Sequence, residues 1–155
     1  MAHAGRAQAF LGNAPLGTFE SPEGSSPSWV AGQAVGVEPP KELAGLERAW
    51  VAVLTGPNTA SSGEAVTIAF KGRENTRSFG LPTNGLSTAN GTFPLSDGAM
   101  IFLTTAIEVD RTGRRYGGKI DPDERVYGAA GTDPEGDAAL LAASEWLRKT
   151  SGCGR

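Results

Sequence analysis

The stretch Thr59-Ala60-Ser61-Ser62-Gly63-Glu64 contains the residue types from which an acyl-transfer site can be assembled. A serine at the turn from a strand into a helix exposes its hydroxyl, and the unpaired N–H groups of the first helical turn point into the same small volume. Those donors would stabilise the oxygen that becomes negative when the hydroxyl attacks a carbonyl. Gly63 leaves room for the backbone of a substrate. The same letters also spell a helix start, because a serine followed three residues later by glutamate is a capping box. Spacing alone leaves Ser61 open to both readings, nucleophile or cap.

A serine hydroxyl needs a base. The single histidine, His3, stands near the N-terminus without a partner pattern. Lys41, Lys71, Lys119 and Lys149 lie in no apolar run that would strip their water and lower their pKa. The residues therefore offer a nucleophile without an identifiable base. Asp121 and Asp123 flank Pro122, but two carboxylates without histidines or further oxygen ligands are a poor metal site, and a solvated turn is expected there. Gly117-Gly118 lacks the surroundings of a phosphate loop. A lone Cys153 supplies neither an internal disulfide nor a zinc site, so no metal and no cofactor are expected.

The elements that must position Ser61 are legible around it. Trp50 to Thr55 is a continuous apolar run bounded by Gly56-Pro57-Asn58, which reads as a buried strand covered on both faces. An amphipathic helix with Ala65, Ile68 and Ala69 on its apolar side follows the serine turn and should end near Gly72. Strand, serine-rich turn and helix form the arrangement in which open α/β sheets place ligands. Thr76 to Phe79 reads as a short strand and Gly80 to Gly91 as a turn-rich loop. Ala99 to Thr105 and Ala106 to Asp110 are strand-like, with Asp110 to Gly113 as a turn. Ile120 to Val126 is expected to run extended over the surface. Asp133 to Lys149 reads as a helix capped by Asp133, with Leu140, Leu141, Ala143, Trp146 and Leu147 as its apolar stripe. Val51, Val53, Ile68, Phe70, Ile101, Leu103, Leu141 and Trp146 are the expected core.

Ahead of this region the chain is different. Ala2 to Leu11 can form a short helix, and Gly12 to Pro40 is an irregular Gly, Pro and Ser-rich stretch with Trp29 and Val30 as its anchor. Residues 21–28 should be exposed and irregular. The 155 residues suffice for one domain, and the 22 glycines and 10 prolines imply many turns. A net charge of −3 argues against a nucleic-acid binder with a broad basic face. No apolar run reaches the length of a membrane span, and the first residues lack the apolar centre of a secretory signal, which leaves an exported parent open.

Residues 51–126 resemble the S41 peptidases, the tail-specific or C-terminal processing family. VAVLTGPNTASSGEAVTIAFKGR is similar to their strand, nucleophile turn and helix. Leu95-Ser96-Asp97-Gly98 resembles their L-x-D-G, and Ile120-Asp121-Pro122-Asp123 their I-x-P-D. The resemblance implies that Ser61 is the nucleophile and the Ser62 N–H an oxyanion donor; Glu64, the second candidate catalytic residue, would either accept a backbone N–H at its own helix start, the favoured reading, or polarise a missing base. It implies an α/β fold, a partial S41-like (ClpP/crotonase-like) core with a crossover helix and a C-terminal helix. Residues 1–45 would be an irregular N-terminal segment and 46–150 the C-terminal part of the peptidase domain. Leu86 stands between Gly85 and Ser87 where Ser-Lys members carry their lysine, and Asn90 stands where they carry a glutamine, so the chain is similar to the branch that uses a histidine. The upstream Asn-x-Gly-Gly-like strand has no match. The expected function is a serine-type peptidase acting on peptide or unfolded-protein substrates in a longer parent, with this chain inactive alone. The alternative is a noncatalytic peptide-binding or structural module, and the compartment stays open, with an extracytoplasmic one suggested by the family alone.

Overall fold

The computed structural model describes residues 2–25, 29–30, 43–128 and 136–150. Helix α1 (Ala2–Leu11) opens the chain, followed by strands β1 (Pro15–Ser21), β2 (Gly24–Ser25) and β3 (Trp29–Val30). A 3-10 turn at Leu46–Arg48 leads into β4 (Val51–Thr55), which passes through the serine turn into helix α2 (Ser62–Phe70). Strands β5 (Thr76–Gly80), β6 (Thr88–Pro94), β7 (Met100–Asp110) and β8 (Glu124–Arg125) precede the C-terminal helix α3 (Ala138–Thr150).

Two sheets flank α2. One is parallel, in the order β4-β5-β8, and the other antiparallel, in the order β2-β1-β7-β6 with β3 also on β1. Within the first, strand alternation divides the work. Val51 and Val53 pack with Phe70, Ala69, Leu16 and Leu11 on one face of the β4 to α2 unit. Leu54 and its register partner Phe79 look the other way, where Trp146 of α3 meets Phe79 with ring centroids 5.6 Å apart. A smaller cluster of Ile68, Tyr116 and Ile120 closes the far side of α2. Gly80 is required where β5 ends: its φ is +120°, and a Cβ there would meet the Thr55 carbonyl oxygen at 2.1 Å.

Arg73 ties α1 to this frame. Its guanidinium is 9% exposed and donates to the carbonyls of Phe10, Leu46, Glu47, Ala49 and Glu74 and to the Thr76 hydroxyl. Leu46 also accepts from the Ala49 N–H, and for the other carbonyls, at helix ends and turns, the buried charge stands in for regular backbone pairing.

Several expectations are corrected. Pro15–Ser21 is a strand and not irregular chain, because it pairs with β7 from Gly17↔Asp110 to Glu20↔Ile107; long-range pairing sets it, not local periodicity. Trp29 and Val30 lie opposite Gly17 and Pro15; residues 22–24 are exposed as expected, but Ser21 is partly buried in β1 and Gly24–Ser25 is not irregular, since it pairs with Glu20 and Ser21 as β2; 26–28 and 31–40 lie outside the described residues. Strand β4 is not covered on both faces: it is an edge strand, and Leu54 is 44% exposed. The loop expected over Gly80 to Gly91 gives way at Thr88 to strand β6, Thr88–Pro94. Ile101 and Leu103 are exposed, because β7 pairs with β1 only through its last four residues while its first half continues beyond the core with β6. Leu141 is exposed on the outer side of α3. Ile120–Val126 is no surface strap, since Ile120 is 1% exposed and Glu124–Arg125 adds a strand to β5. Asp133 lies outside the described residues; α3 starts at Ala138, with the Asp137 carboxylate accepting from the N–H groups of Ala139 and Leu140.

Candidate active site

Ser61 sits on the turn between β4 and α2 with φ 50° and ψ −114°. Among the described residues one other non-glycine, Asn75, has positive φ, and asparagine tolerates it where serine does not. The backbone therefore carries strain at an exposed serine. The strain persists because the turn is pinned on every side: Gly56 N–H donates to the Thr59 hydroxyl, Gly63 N–H to the Ala60 carbonyl and Asn84 N–H to the Thr59 carbonyl.

Accounting for the helix N-terminus isolates one donor. Ser61 N–H donates to Glu64 Oε2 at 2.9 Å, Gly63 N–H is used by Ala60, and Ala65 N–H reaches the Ser61 carbonyl. Ser62 N–H has no acceptor among the described residues, at the first position of α2. Helix geometry gives it no internal partner, and the helix dipole adds to its pull on an anion.

Glu64 is the hub of the site. It is fully buried, and beyond the Ser61 N–H it accepts from the Thr83 hydroxyl at 2.5 Å, Gly85 N–H at 2.8 Å and Leu86 N–H at 2.7 Å. The capping box is thus real, and it does more than cap. One carboxylate fastens the 83–86 loop to the serine turn, with Ser61 N–H and Leu86 N–H on the same oxygen. Thr83 passes the connection on, accepting from Ile120 N–H at 2.9 Å. All of these contacts to Glu64 come from donors, so it positions the turn and has no lone pair left over for a proton relay.

The other expected residues fall outside this cluster. Lys71 donates to Asp123 at 2.9 Å and to the Ser78 hydroxyl at 2.8 Å, and Lys149 pairs with Glu145. Asp121 pairs with Arg125, while Asp123 accepts from Ser78 N–H and hydroxyl, so the Ile120–Asp123 segment locks β8 against β5. Burial would push the Asp123 carboxyl up, and the bonds from Ser78 and Lys71 bring it below its usual range. Asn90, expected to hold a loop, instead accepts from Thr104 across the β6–β7 hairpin. The backbone of His3 lies in α1 and its side chain, like Lys41, lies outside the described residues. Leu86 is 53% exposed beside the site.

Sequence reasoning missed two residues. Thr83 carried no signal. Glu108 did carry one, an acid inside the apolar run AIEV of β7. It is 4% exposed, and its Oε2 has no hydrogen-bond partner among the described residues. Burial, with the negative charge of Glu64 as a further cause, pushes its carboxyl up to about 7. Beside the serine turn, a hollow of about 540 Å3 opens at the carboxyl ends of β4, β5 and β8, lined by Leu54, Pro57, Thr59, Leu81, Val126 and Ala139 among others. That is where open parallel sheets bind ligands.

A parallel β-α-β unit delivers a strained serine to a helix N-terminus, where free N–H groups can hold an anionic oxygen. Residues 6–126 match the model of peptidase family S41, and the chain belongs to that family. It is 33% identical over 104 residues to a nisin-resistance protein of Lactococcus lactis subsp. lactis, a span of 66% of this chain and 30% of that protein. A lipoprotein from Streptococcus agalactiae has the same fold with a TM-score of 0.75 and 29% identity, covering 95% of this chain and 49% of that one. The photosystem II D1 C-terminal processing protease shares the fold at a TM-score of 0.66 and 20% identity, over 87% of this chain and 33% of its own. The chain spans about half or less of the length of these relatives.

Proposed function

We propose that this chain carries the nucleophile half of a serine-type peptidase site. The observation that carries the reading is the strained Ser61 turn with the unpaired Ser62 N–H next to it. Ser61 Oγ attacks the scissile carbonyl carbon, a base takes the hydroxyl proton, and the carbonyl oxygen becomes an anion held by Ser62 N–H and a second donor. Collapse of the adduct breaks the C–N bond, the leaving amine takes the proton from the base, and water hydrolyses the acyl-enzyme. In this reading the base and the second oxyanion donor come from residues other than the described ones; the relatives are longer than this chain. Glu64 keeps the turn in place. Peptides or unfolded proteins are the substrates, and the name of the nisin-resistance relative makes nisin the first to test.

Labelling of the full-length parent by a fluorophosphonate probe, with and without Ser61→Ala, tests this. Labelling lost in the variant supports Ser61 as nucleophile, and labelling unchanged removes it from the mechanism. A second reading, a peptide-binding module without catalysis, draws on Leu86, which cannot take a proton where Ser-Lys relatives have a base. A well-folded parent that binds nisin yet is neither labelled nor hydrolytic would establish it. The isolated chain is expected to be hydrolytically silent, since loss of one oxyanion donor alone costs about 2.7 to 4 kcal/mol of the barrier.

A further inference from the structure

An asparagine followed by glycine is chemically labile, because glycine has no side chain to keep its main-chain nitrogen away from the neighbouring amide carbon. The sequence contains two such pairs, Asn84-Gly85 and Asn90-Gly91. In the reaction the glycine nitrogen attacks the asparagine Cγ and closes a succinimide ring. The Cγ–NH2 bond breaks, and ammonia leaves with the proton that the glycine nitrogen gave up. Water then opens the ring at either carbonyl to give aspartate or isoaspartate. The first step needs a glycine nitrogen that can shed its proton and an asparagine side chain free to turn towards it.

Asn84 is exposed to water, yet both requirements are blocked there. Gly85 N–H donates to Glu64 Oε1 at 2.8 Å, so losing that proton would set a negative nitrogen against a fully buried carboxylate. The same carboxylate accepts from Ser61, Thr83 and Leu86 as well, which fills its lone pairs and makes it a poor base for the proton. Asn84 is held in main chain and side chain alike: its N–H donates to the Thr59 carbonyl at 2.9 Å and its Nδ2 to the Pro57 carbonyl at 3.3 Å. Nor can the glycine be exchanged for a safer residue, since its φ is +108° and a Cβ would meet Lys119 Cγ at 3.2 Å and Lys119 N at 3.3 Å. The fold thus requires glycine after Asn84 and supplies the contacts that quiet the pair. We propose that Asn84 is a latent deamidation site kept silent by the Glu64 carboxylate, and that its conversion to isoaspartate irreversibly releases the serine turn. Isoaspartate inserts a methylene into the main chain just before Gly85, which moves the Gly85 and Leu86 N–H groups off the two Glu64 oxygens. Leu86 shares its oxygen with Ser61 N–H, so the change reaches the strained turn directly. Nothing in this chemistry depends on what Ser61 does.

Asn90-Gly91 is a comparison within the same molecule: Asn90 is exposed in β6 opposite Thr104, and Gly91 is not among the donors to Glu64. The 155-residue chain is incubated in mildly alkaline buffer, folded or in guanidinium chloride, and digested with trypsin. Residues 78–111 are released as one peptide, whose fragment ions report the mass gain at each asparagine separately, and an isoaspartyl methyltransferase assay identifies the isoaspartate. In denaturant both asparagines should convert at similar rates. In the folded chain Asn84 should convert about tenfold or more slowly than in denaturant, the scale set by one charge-assisted hydrogen bond. Glu64→Gln should return most of that rate at Asn84 and leave Asn90 as it is in the parent chain. Folded Asn84 converting as fast as in denaturant, or staying equally slow in Glu64→Gln, would overturn the proposal. A second measurement needs no variant: through sub-denaturing guanidinium, hydrogen exchange at the Gly85 amide and conversion of Asn84 should rise in parallel. Exchange that rises while conversion stays flat would overturn the proposal as well.

Discussion

Replacing Glu64 by glutamine changes one oxygen into an NH2 group and little else in shape, so its cost measures what the carboxylate holds. If the amide nitrogen takes the Oε2 place, the N–H groups of Ser61 and Leu86 both lose their acceptor. If it takes the Oε1 place, Thr83 can turn its hydroxyl, and only Gly85 N–H is orphaned. The second orientation is cheaper and sets the estimate. One unsatisfied buried N–H costs about 1 to 3 kcal/mol, and loss of charge assistance in the remaining bonds adds about 1. A destabilisation of about 2 to 4 kcal/mol corresponds to a fall in Tm of about 4 to 16 °C for a chain of this size. Urea unfolding followed by tryptophan fluorescence gives the free energy, and hydrogen exchange at Gly85 and Leu86 shows whether the loop has been released locally. A change below about 0.5 kcal/mol with unaltered exchange at those amides would refute Glu64 as the fastener of the turn.

Three further outcomes are expected. Ser61→Gly relieves the positive φ and should be more stable than Ser61→Ala by about 1 kcal/mol in the same urea assay, although both lack the hydroxyl. Glu108 releases its proton near 4.5 in the unfolded chain and near 7 in the folded one, so the folded state binds more protons between those values. Stability should therefore fall as pH rises through that window, by on the order of 3 kcal/mol, and Glu108→Gln should flatten that portion of the pH profile. Arg73→Lys keeps a positive charge but cannot reach the five carbonyls that the guanidinium serves, and should cost about 3 kcal/mol or more by thermal unfolding.

The serine turn is legible in the sequence because its determinants are local. A β-rich apolar run, turn residues and a serine three positions before a glutamate place Ser61, Ser62 and Glu64 without any distant contact, and α1, α2 and the Asp110 turn follow from the same short-range chemistry. The motifs around them sufficed to identify the S41 family. What the local pattern could not carry was which apolar residues become core. Ile101, Leu103 and Leu54 have strand-core chemistry, yet they are exposed, because coverage depends on where β1 and α3 stop and not on the residues themselves. Only the tertiary structure made a strand of Pro15–Ser21, joined Thr83, Gly85 and Leu86 to Glu64, and buried Glu108 without a partner. Each of these depends on groups far apart in the chain meeting in space, where pairing and desolvation, properties of the neighbourhood and not of the residue, decide the energy.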